Sequence, residues 1–427
     1  KNKEFIKETF FHKIILQKRV RDLEEKVKII KKEFISLNSD LINKEVSYIK
    51  SSISNEKLRI IKAKIPMPWV LGAEVDYTNA NAYKQVPSKA FYMEKYNNHL
   101  IIFSNSGDSF IINEPTKSFK NKRLINFKYI ENNLDKLILS KEYKERYGYG
   151  PKDLKIIQDY LYLSTLKEIK KNCFTVSILR LKLPQNFDKK FSFNFKNYFQ
   201  SDQCKIKNGG KDPWRQHQSG GRIVNFDENY LILTTGDFNY MDTVQNKENM
   251  FGKIIKINKN DTNDYQIISL GHRNVQGLSY NKNKNYLIST EHGPKGGDEI
   301  NINNLKKIEN FGWPISAYGV HYDGKDRSYA PLHQNHIKYG FKEPAKYFTP
   351  AIGISEIIEV DAVNETYLLT SLKAKTIFFV KVTDKQSIQI INEFKIGERI
   401  RDIIQFDNEN YIVALEDSPG LALITLK

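Results

Sequence analysis

Cysteine is nearly absent from this chain. Its 427 residues contain two, Cys173 and Cys204, and neither sits in a CxxC pair or near histidines at zinc-like spacing. A cysteine-based metal centre is therefore excluded. Two states stay open: a single disulfide in an oxidising compartment, or two buried free thiols. No apolar run reaches the roughly 18 residues that a membrane-spanning helix needs. Blocks of like charge are missing too. The formal charge of +17 comes from lysines spread among aspartates and glutamates, with no RNA- or DNA-binding signature, so no nucleic-acid partner is expected. The chain starts at Lys1 rather than methionine, so the lack of a signal peptide decides nothing and an upstream membrane anchor stays open.

What is present reads as a globular core: 40% apolar residues, 12% aromatic, in a length that holds one large β domain or two ordinary ones. The beginning differs from the rest. Leu16, Val20, Leu23, Val27, Ile30, Phe34, Leu37 and Leu41 alternate in steps of four and three, a heptad seam. Residues 1–57 are accordingly expected as a helical, coiled-coil-like segment. Either it pairs two chains into a homodimer, or it lies as one amphipathic helix on the following domain.

Beyond Pro66 the helical period disappears. A polar turn, then an aromatic or histidine, then three or four β-prone residues recur six times, starting at His99, Tyr160, Tyr230, Tyr286, Tyr367 and Tyr411. Each copy has an apolar strand after it and an inner strand about a dozen residues before it, for example GGRIVNF ahead of Tyr230. Six such triplets at irregular intervals predict an all-β, six-bladed β-propeller over residues 58–427.

Register also places the chemistry. His217 and Arg273 each lie 13 residues before the tyrosine of their copy, and Arg399 lies 12 before Tyr411. Equivalent positions in different blades ring one axis, so these residues are expected at one funnel mouth. Arg399 and Arg401 flank Ile400, which puts both guanidiniums on one side of a strand. With Lys373 and Arg273 they make four cations suited to a small polyanion. His217, in His-Gln-Ser-Gly-Gly-Arg, and Asp237, ending a paired strand at Thr-Gly-Asp, form a candidate base and its orienting carboxylate. The Gly293-Pro294-Lys295-Gly296-Gly297-Asp298 loop is neither a Walker A loop nor an EF-hand. Such a loop exposes carbonyl oxygens that suit a hard cation such as Ca²⁺, or it is a plain turn.

Taken together, His217–Arg222, Thr235–Asp237, Gly271–Gly277, Glu291–Pro294, Asp298–Asn301, Phe311–Pro314, Ser371–Lys373 and Arg399–Asp402 resemble the glucose/sorbosone dehydrogenases, the soluble quinoprotein sugar dehydrogenases. The resemblance runs from about His217 to the C-terminus. It implies a propeller that holds pyrroloquinoline quinone through Ca²⁺, with the carbonyls of Gly293 and Pro294 on the metal. Asn274, Lys373, Arg399 and Arg401 would hold the quinone, with Arg273 near its reactive edge. His217, oriented by Asp237, would take the anomeric proton while a hydride passes to the quinone, and an aldose would leave as its lactone. Ala351 stands where some glucose-oxidising relatives have a cofactor-contacting threonine, and His292 where others have glutamine. Glucose itself is therefore not singled out.

The expected function is a sugar dehydrogenase in the periplasm or outside the cell, passing electrons to an acceptor that the sequence does not name. The competing readings are a propeller of the same fold that binds without turnover, and a surface protein anchored by its heptads.

Overall fold

The computed structural model describes residues 47–50, 59–66, 90–116, 128–138, 150–187, 190–206, 217–417 and 420–426. The heptad seam from Leu16 to Leu41 lies outside them. Where description begins, the chain is extended rather than helical: β1 (Ser47–Lys50) pairs antiparallel with β2 (Arg59–Pro66). The segment expected as helix over 1–57 thus contains a strand.

Blade one is built from β3 (Phe91–Tyr96), β4 (His99–Ser104), β5 (Ser109–Asn113) and β6 (Lys128–Tyr129). Blade two has β7 (Pro151–Ile157), β8 (Tyr160–Lys170), β9 (Cys173–Lys182) and β10 (Lys196–Gln200), with β11 (Lys205–Ile206) also on β9. In blade three, β12 (Gly220–Asn225), β13 (Tyr230–Thr235), β14 (Lys253–Asn258) and β15 (Tyr265–Leu270) follow in order. Blade four comprises β16 (Val275–Asn281), β17 (Tyr286–Glu291) and β18 (Asp298–Asn303). Its next strand, β19 (Glu309–Asn310), instead runs parallel to β15, and β20 (Lys346–Phe348) closes the blade. Blade five contains β21 (Ile354–Asp361), β22 (Thr366–Ser371), β23 (Thr376–Val382) and β24 (Ile388–Lys395). The last blade has β25 (Ile400–Gln405), β26 (Asn410–Leu415) and β27 (Gly420–Leu426), and β2 pairs onto β27 as its outer strand.

The inner strands pack in a closed cycle, β3 on β7, β7 on β12, β12 on β16, β16 on β21, β21 on β25 and β25 on β3. Six blades around one axis is the architecture that the repeats predict, with almost no helix among the described residues. Each second strand is buried along nearly its whole length because its two faces meet different neighbours. That demands aliphatic and aromatic side chains at successive positions, each stabilising the fold by about 1.5–3 kcal/mol when fully buried. Equivalent tyrosines even meet between blades. Tyr286 and Tyr367, each near the start of its strand, share a hydroxyl–hydroxyl bond of 2.8 Å.

The two cysteines are joined: Cys173 at the start of β9 is bonded to Cys204, just before β11.

Candidate active site

Five of the six inner strands carry the same irregularity. Their pairing slips between Pro151 and Asp153, Gly220 and Ile223, Val275 and Gly277, Ile354 and Ile357, and Ile400 and Asp402. A β-bulge of this kind re-aims the extra side chain. Here the slips put Lys152, Arg222, Gln276 and Arg401 into the wall of an axial cavity of about 220 Å³. The rest of the wall includes Tyr92, His217, Gln218, Ser219, Gly220, Asn274 and His292.

Beneath the cavity Arg222 is a hub. Its Nη1 lies 3.1 Å from Asp153, 2.5 Å from Glu356 and 3.1 Å from Asp402, all almost fully buried. Its Nε donates to the Gln276 carbonyl at 2.5 Å. Burial works against the charge on Arg222, yet the three carboxylates hold its pKa above the usual range. Three carboxylates outnumber one guanidinium, so burial dominates on the acid side: Asp153 is pushed up to about 6 and Glu356 to about 8.

Of the predicted site residues, the cavity brings together His217, Asn274 and Arg401. Burial lowers the His217 pKa, keeping the imidazole in its neutral, proton-accepting form at neutral pH. The strand pairing that was expected to bring Asp237 beside this segment is present. Gly220 faces Thr235, Gly236 N–H donates to Ser219 O, and Phe238 N–H donates to Gln218 O. Gly236 is obligatory there, since an added Cβ would lie 1.7 Å from the Gln218 carbonyl oxygen. The Asp237 carboxylate nevertheless faces elsewhere. Its Oδ1 accepts from Asn239 N–H and its Oδ2 from Trp313 Nε1–H, both at 2.8 Å. Buried completely, Asp237 is raised to about 6 despite Arg273. The side-chain link from Asp237 to His217 is thus replaced by one to Trp313 of Phe-Gly-Trp-Pro.

Arg273 also differs from expectation. It stacks over the Trp313 ring at 5.3 Å and its Nη1 donates to the carbonyls of His292 (2.9 Å) and Gly293 (2.7 Å). It therefore occupies one face of a carbonyl proposed for a cation and is not part of the cavity wall. Asp298 braces this loop: Oδ1 accepts from Gly293 N–H at 3.1 Å and Oδ2 from Ile354 N–H at 3.0 Å. Pro294 is buried against Gly319. Arg399 and Arg401 do share a side, gripping the two oxygens of Glu416 at 3.0 and 2.5 Å. Only Arg401 reaches the cavity, where its Nη1 also meets Gln276 Oε1 at 3.1 Å. Lys373 is exposed outside the wall.

Among the wall residues given no role from the sequence are Lys152, Arg222, Gln276 and His292. The triplet Pro151-Lys152-Asp153 matches Ile400-Arg401-Asp402 in register, a signal legible in the sequence once the bulge is known. Behind the wall, Glu291 ties His272 Nδ1 (3.0 Å) and Arg273 N–H (2.7 Å) to one buried carboxylate.

The wall suits an acidic, heteroatom-rich ligand. It offers three cationic side chains, Lys152, Arg222 and Arg401, of which Arg222 is already held by carboxylates, and it includes two residues with a buried polar atom lacking any hydrogen-bond partner, His292 Nε2 and Gln218 Oε1. Such orphans are rare in native interiors and mark places completed by something else. A cation fits less directly. Among the described residues no group of three His, Cys, Asp or Glu could hold a metal, so Ca²⁺ would depend on carbonyl oxygens and on the ligand's own atoms.

A six-bladed ring with a cation-lined axial cavity defines the class, and the sequence agrees: the chain belongs to the glucose/sorbosone dehydrogenase family, whose model matches residues 158–425. Among curated proteins it is 30% identical over 225 residues to the aldose sugar dehydrogenase YliI of Escherichia coli K12, covering 48% of this chain and 58% of that protein. It is 26% identical over 209 residues to quinoprotein glucose dehydrogenase B of Acinetobacter calcoaceticus, covering 36% and 43%. The aligned part thus spans about half the length of these relatives. The crystal structure of the apo-form E. coli aldose sugar dehydrogenase superposes with a TM-score of 0.60 at 19% identity, covering 79% of this chain and 95% of that one. The PQQ-bound aldose sugar dehydrogenase of Streptomyces coelicolor gives 0.54 at 14% identity, covering 80% and 100%. At such identities these two likenesses establish the fold.

Proposed function

We propose that the protein is a quinone-dependent sugar dehydrogenase that oxidises the anomeric hydroxyl of an aldose to a lactone. The observation that carries this reading is that neutral His217 lines the same cavity as Lys152 and Arg401. When bound, pyrroloquinoline quinone with Ca²⁺ would supply the two-electron oxidation that no side chain can perform. Arg401, fixed by Glu416 and Gln276, would hold the cofactor's acidic groups. Asn274 would act chiefly as a brace, because its Oδ1 accepts from Gly220 N–H at 3.2 Å and Gln276 Nε2–H at 3.0 Å. The His217 ring would accept the substrate hydroxyl proton. Asp237 would act at one remove, holding the turn beside His217 through Trp313. The carbonyls of Gly293 and Pro294 would serve the metal once Arg273 turns away from Gly293, and Lys373 and Arg399 would join only by moving inward. The Cys173–Cys204 bond supports a site of action in the periplasm or outside the cell.

The test is reconstitution of the apo-protein with pyrroloquinoline quinone and Ca²⁺, followed by dye reduction with a panel of aldoses. His217→Ala is expected to bind the quinone as the parent does while losing about 10²–10⁴-fold in turnover, the usual worth of a general base. Failure of the parent to bind the quinone would remove the proposal, and equal loss of binding in the variant would make His217 structural.

A further inference from the structure

The loop of residues 239–251 follows β13 directly after the turn that clamps His217 and Gln218, and it is gripped from outside its own blade. The grip comes from residues 201–206 of blade two, a segment that ends in β11. That segment is anchored twice on β9: Lys205 and Ile206 pair with Phe174 and Cys173, and Cys204 is bonded to Cys173. From it two side chains reach across to the next blade. Gln203 Nε2–H donates to Glu248 O at 3.1 Å while its Oε1 accepts from Met250 N–H at 2.9 Å. Lys205 Nζ donates to Thr243 Oγ1 at 2.8 Å and lies over the rings of Tyr240 (4.9 Å) and Phe251 (4.6 Å).

The two halves of the loop are held differently. Lys253, fully buried in β14, donates to the carbonyls of Val244 and Phe251, both at 2.7 Å, and fixes the far half from within. The near half runs into the His217 turn. Thr243 Oγ1 donates to Tyr240 O at 2.9 Å, and Tyr240 N–H donates to Asp237 O at 2.7 Å. The residues that follow Asp237 close on Gln218: Phe238 N–H donates to its carbonyl, and Asn239 Oδ1 accepts from its Nε2–H. The Lys205 ammonium thus stands at the outer end of a chain of bonds that ends beside His217. Burial lowers its pKa, with Asp242 and Asp237 opposing the shift. A hydroxyl and two ring faces offset that burial only while the near half is in place.

We propose that Lys205 is a positioning residue for His217: from blade two it holds the near half of the 239–251 loop, and through it the turn that sets the imidazole at the cavity. The effect on turnover rests on the function proposed above; the hold on the turn does not.

The experiment compares the parent with Lys205→Met, which keeps the apolar stem, and Lys205→Arg, which keeps charge, donor and ring contact. Amide hydrogen exchange of the apo-protein reads the turn, with β8 as the internal reference. Titration with pyrroloquinoline quinone and Ca²⁺ by absorbance reads the cavity, and dye reduction with a panel of aldoses reads kcat. Lys205→Met is expected to speed exchange over residues 236–243 by about tenfold, the worth of one bond to a charged donor, and to leave β8 unchanged. Its quinone affinity should stay parental while kcat falls by about tenfold or more, because a displaced base costs rate rather than cofactor binding. Lys205→Arg should restore both. A parent that binds no quinone would remove the function proposed above, and exchange with its rescue would then decide this inference alone. The inference is overturned if Lys205→Met exchanges as the parent does, if Lys205→Arg restores nothing, or if a loosened turn leaves kcat intact in a working enzyme. Equal loss of quinone affinity and kcat would overturn it too, by making Lys205 merely structural. Should Lys205→Met not fold, Thr243→Val removes the same bond from its other end under the same exchange and turnover criteria.

Discussion

The residue that most governs the interior is Arg222, because three buried carboxylates answer to one guanidinium. Its neighbour Glu356 makes the imbalance measurable. Burial outweighs Arg222 and, with Asp402 and Asp153 adding to it, raises Glu356 from an ordinary 4.5 to about 8. A carboxyl whose folded pKa is raised keeps a proton that the unfolded chain releases. Its contribution is intact below about pH 4.5 and is lost as the pH climbs to about 8. Glu356→Gln cannot ionise. The stability of the variant relative to the parent should therefore improve between pH 5 and pH 8.5, by about tenfold or more in the folding equilibrium constant. Denaturant midpoints at the two pH values measure this, and a constant difference would show that Glu356 is ionised throughout. Nothing in the sequence disclosed this hub. Arg222 was visible as the end of His-Gln-Ser-Gly-Gly-Arg, but its partners lie 69 to 180 positions away. The turn of Asp237 towards Trp313 and of Arg273 towards Gly293 was equally hidden. Spacing along a strand fixes where a Cα lies, not which of several nearby partners its side chain takes.

At the scale of strands and hairpins the sequence was far more legible. His99, Tyr160, Tyr230 and Tyr286 begin β4, β8, β13 and β17, while Tyr367 and Tyr411 stand second in β22 and β26. Turn residues followed by β-branched runs carry that information locally. The bulges do not announce themselves, since an extra residue reads like any other until its partner strand is known. That is why Lys152 escaped notice while Arg401, its counterpart, did not. The cysteines make a further test at this scale. Their bond joins β9 to the start of β11 and closes a loop with a sequence separation of 31. Loop-closure entropy assigns such a cross-link about 3–4 kcal/mol. Cys173→Ala with Cys204→Ala should therefore lower unfolding stability by a few kcal/mol, and reduction of the parent should do the same while adding two hydrogens to its mass. A parent whose midpoint ignores reductant would show that the bond constrains little.

For the whole molecule the decisive contact is the one that joins the two ends of the described chain. Seven residues of β2 face seven of β27, from Ile60 opposite Leu426 to Pro66 opposite Gly420, and complete the last blade. Without β2 that blade keeps three strands and β27 becomes an open edge, the kind of strand that proteins otherwise cover. The ring of inner strands holds the axial cavity in place, so a loosened last blade also loosens Arg401 on β25. Deleting residues 1–66 should therefore lower stability by several kcal/mol, promote aggregation and weaken quinone binding together. Deleting residues 1–46 keeps β1 and β2 and should leave all three unchanged. The shorter deletion also isolates the heptads from Leu16 to Leu41. If they pair two chains, sedimentation should give a dimer for the full chain and a monomer for the truncated one. A chain monomeric in both forms would instead assign the seam to the propeller's own surface. A 1–66 deletion that unfolds at the parent temperature would mean that the ring needs no closing strand, and that the six inner strands alone hold the cavity.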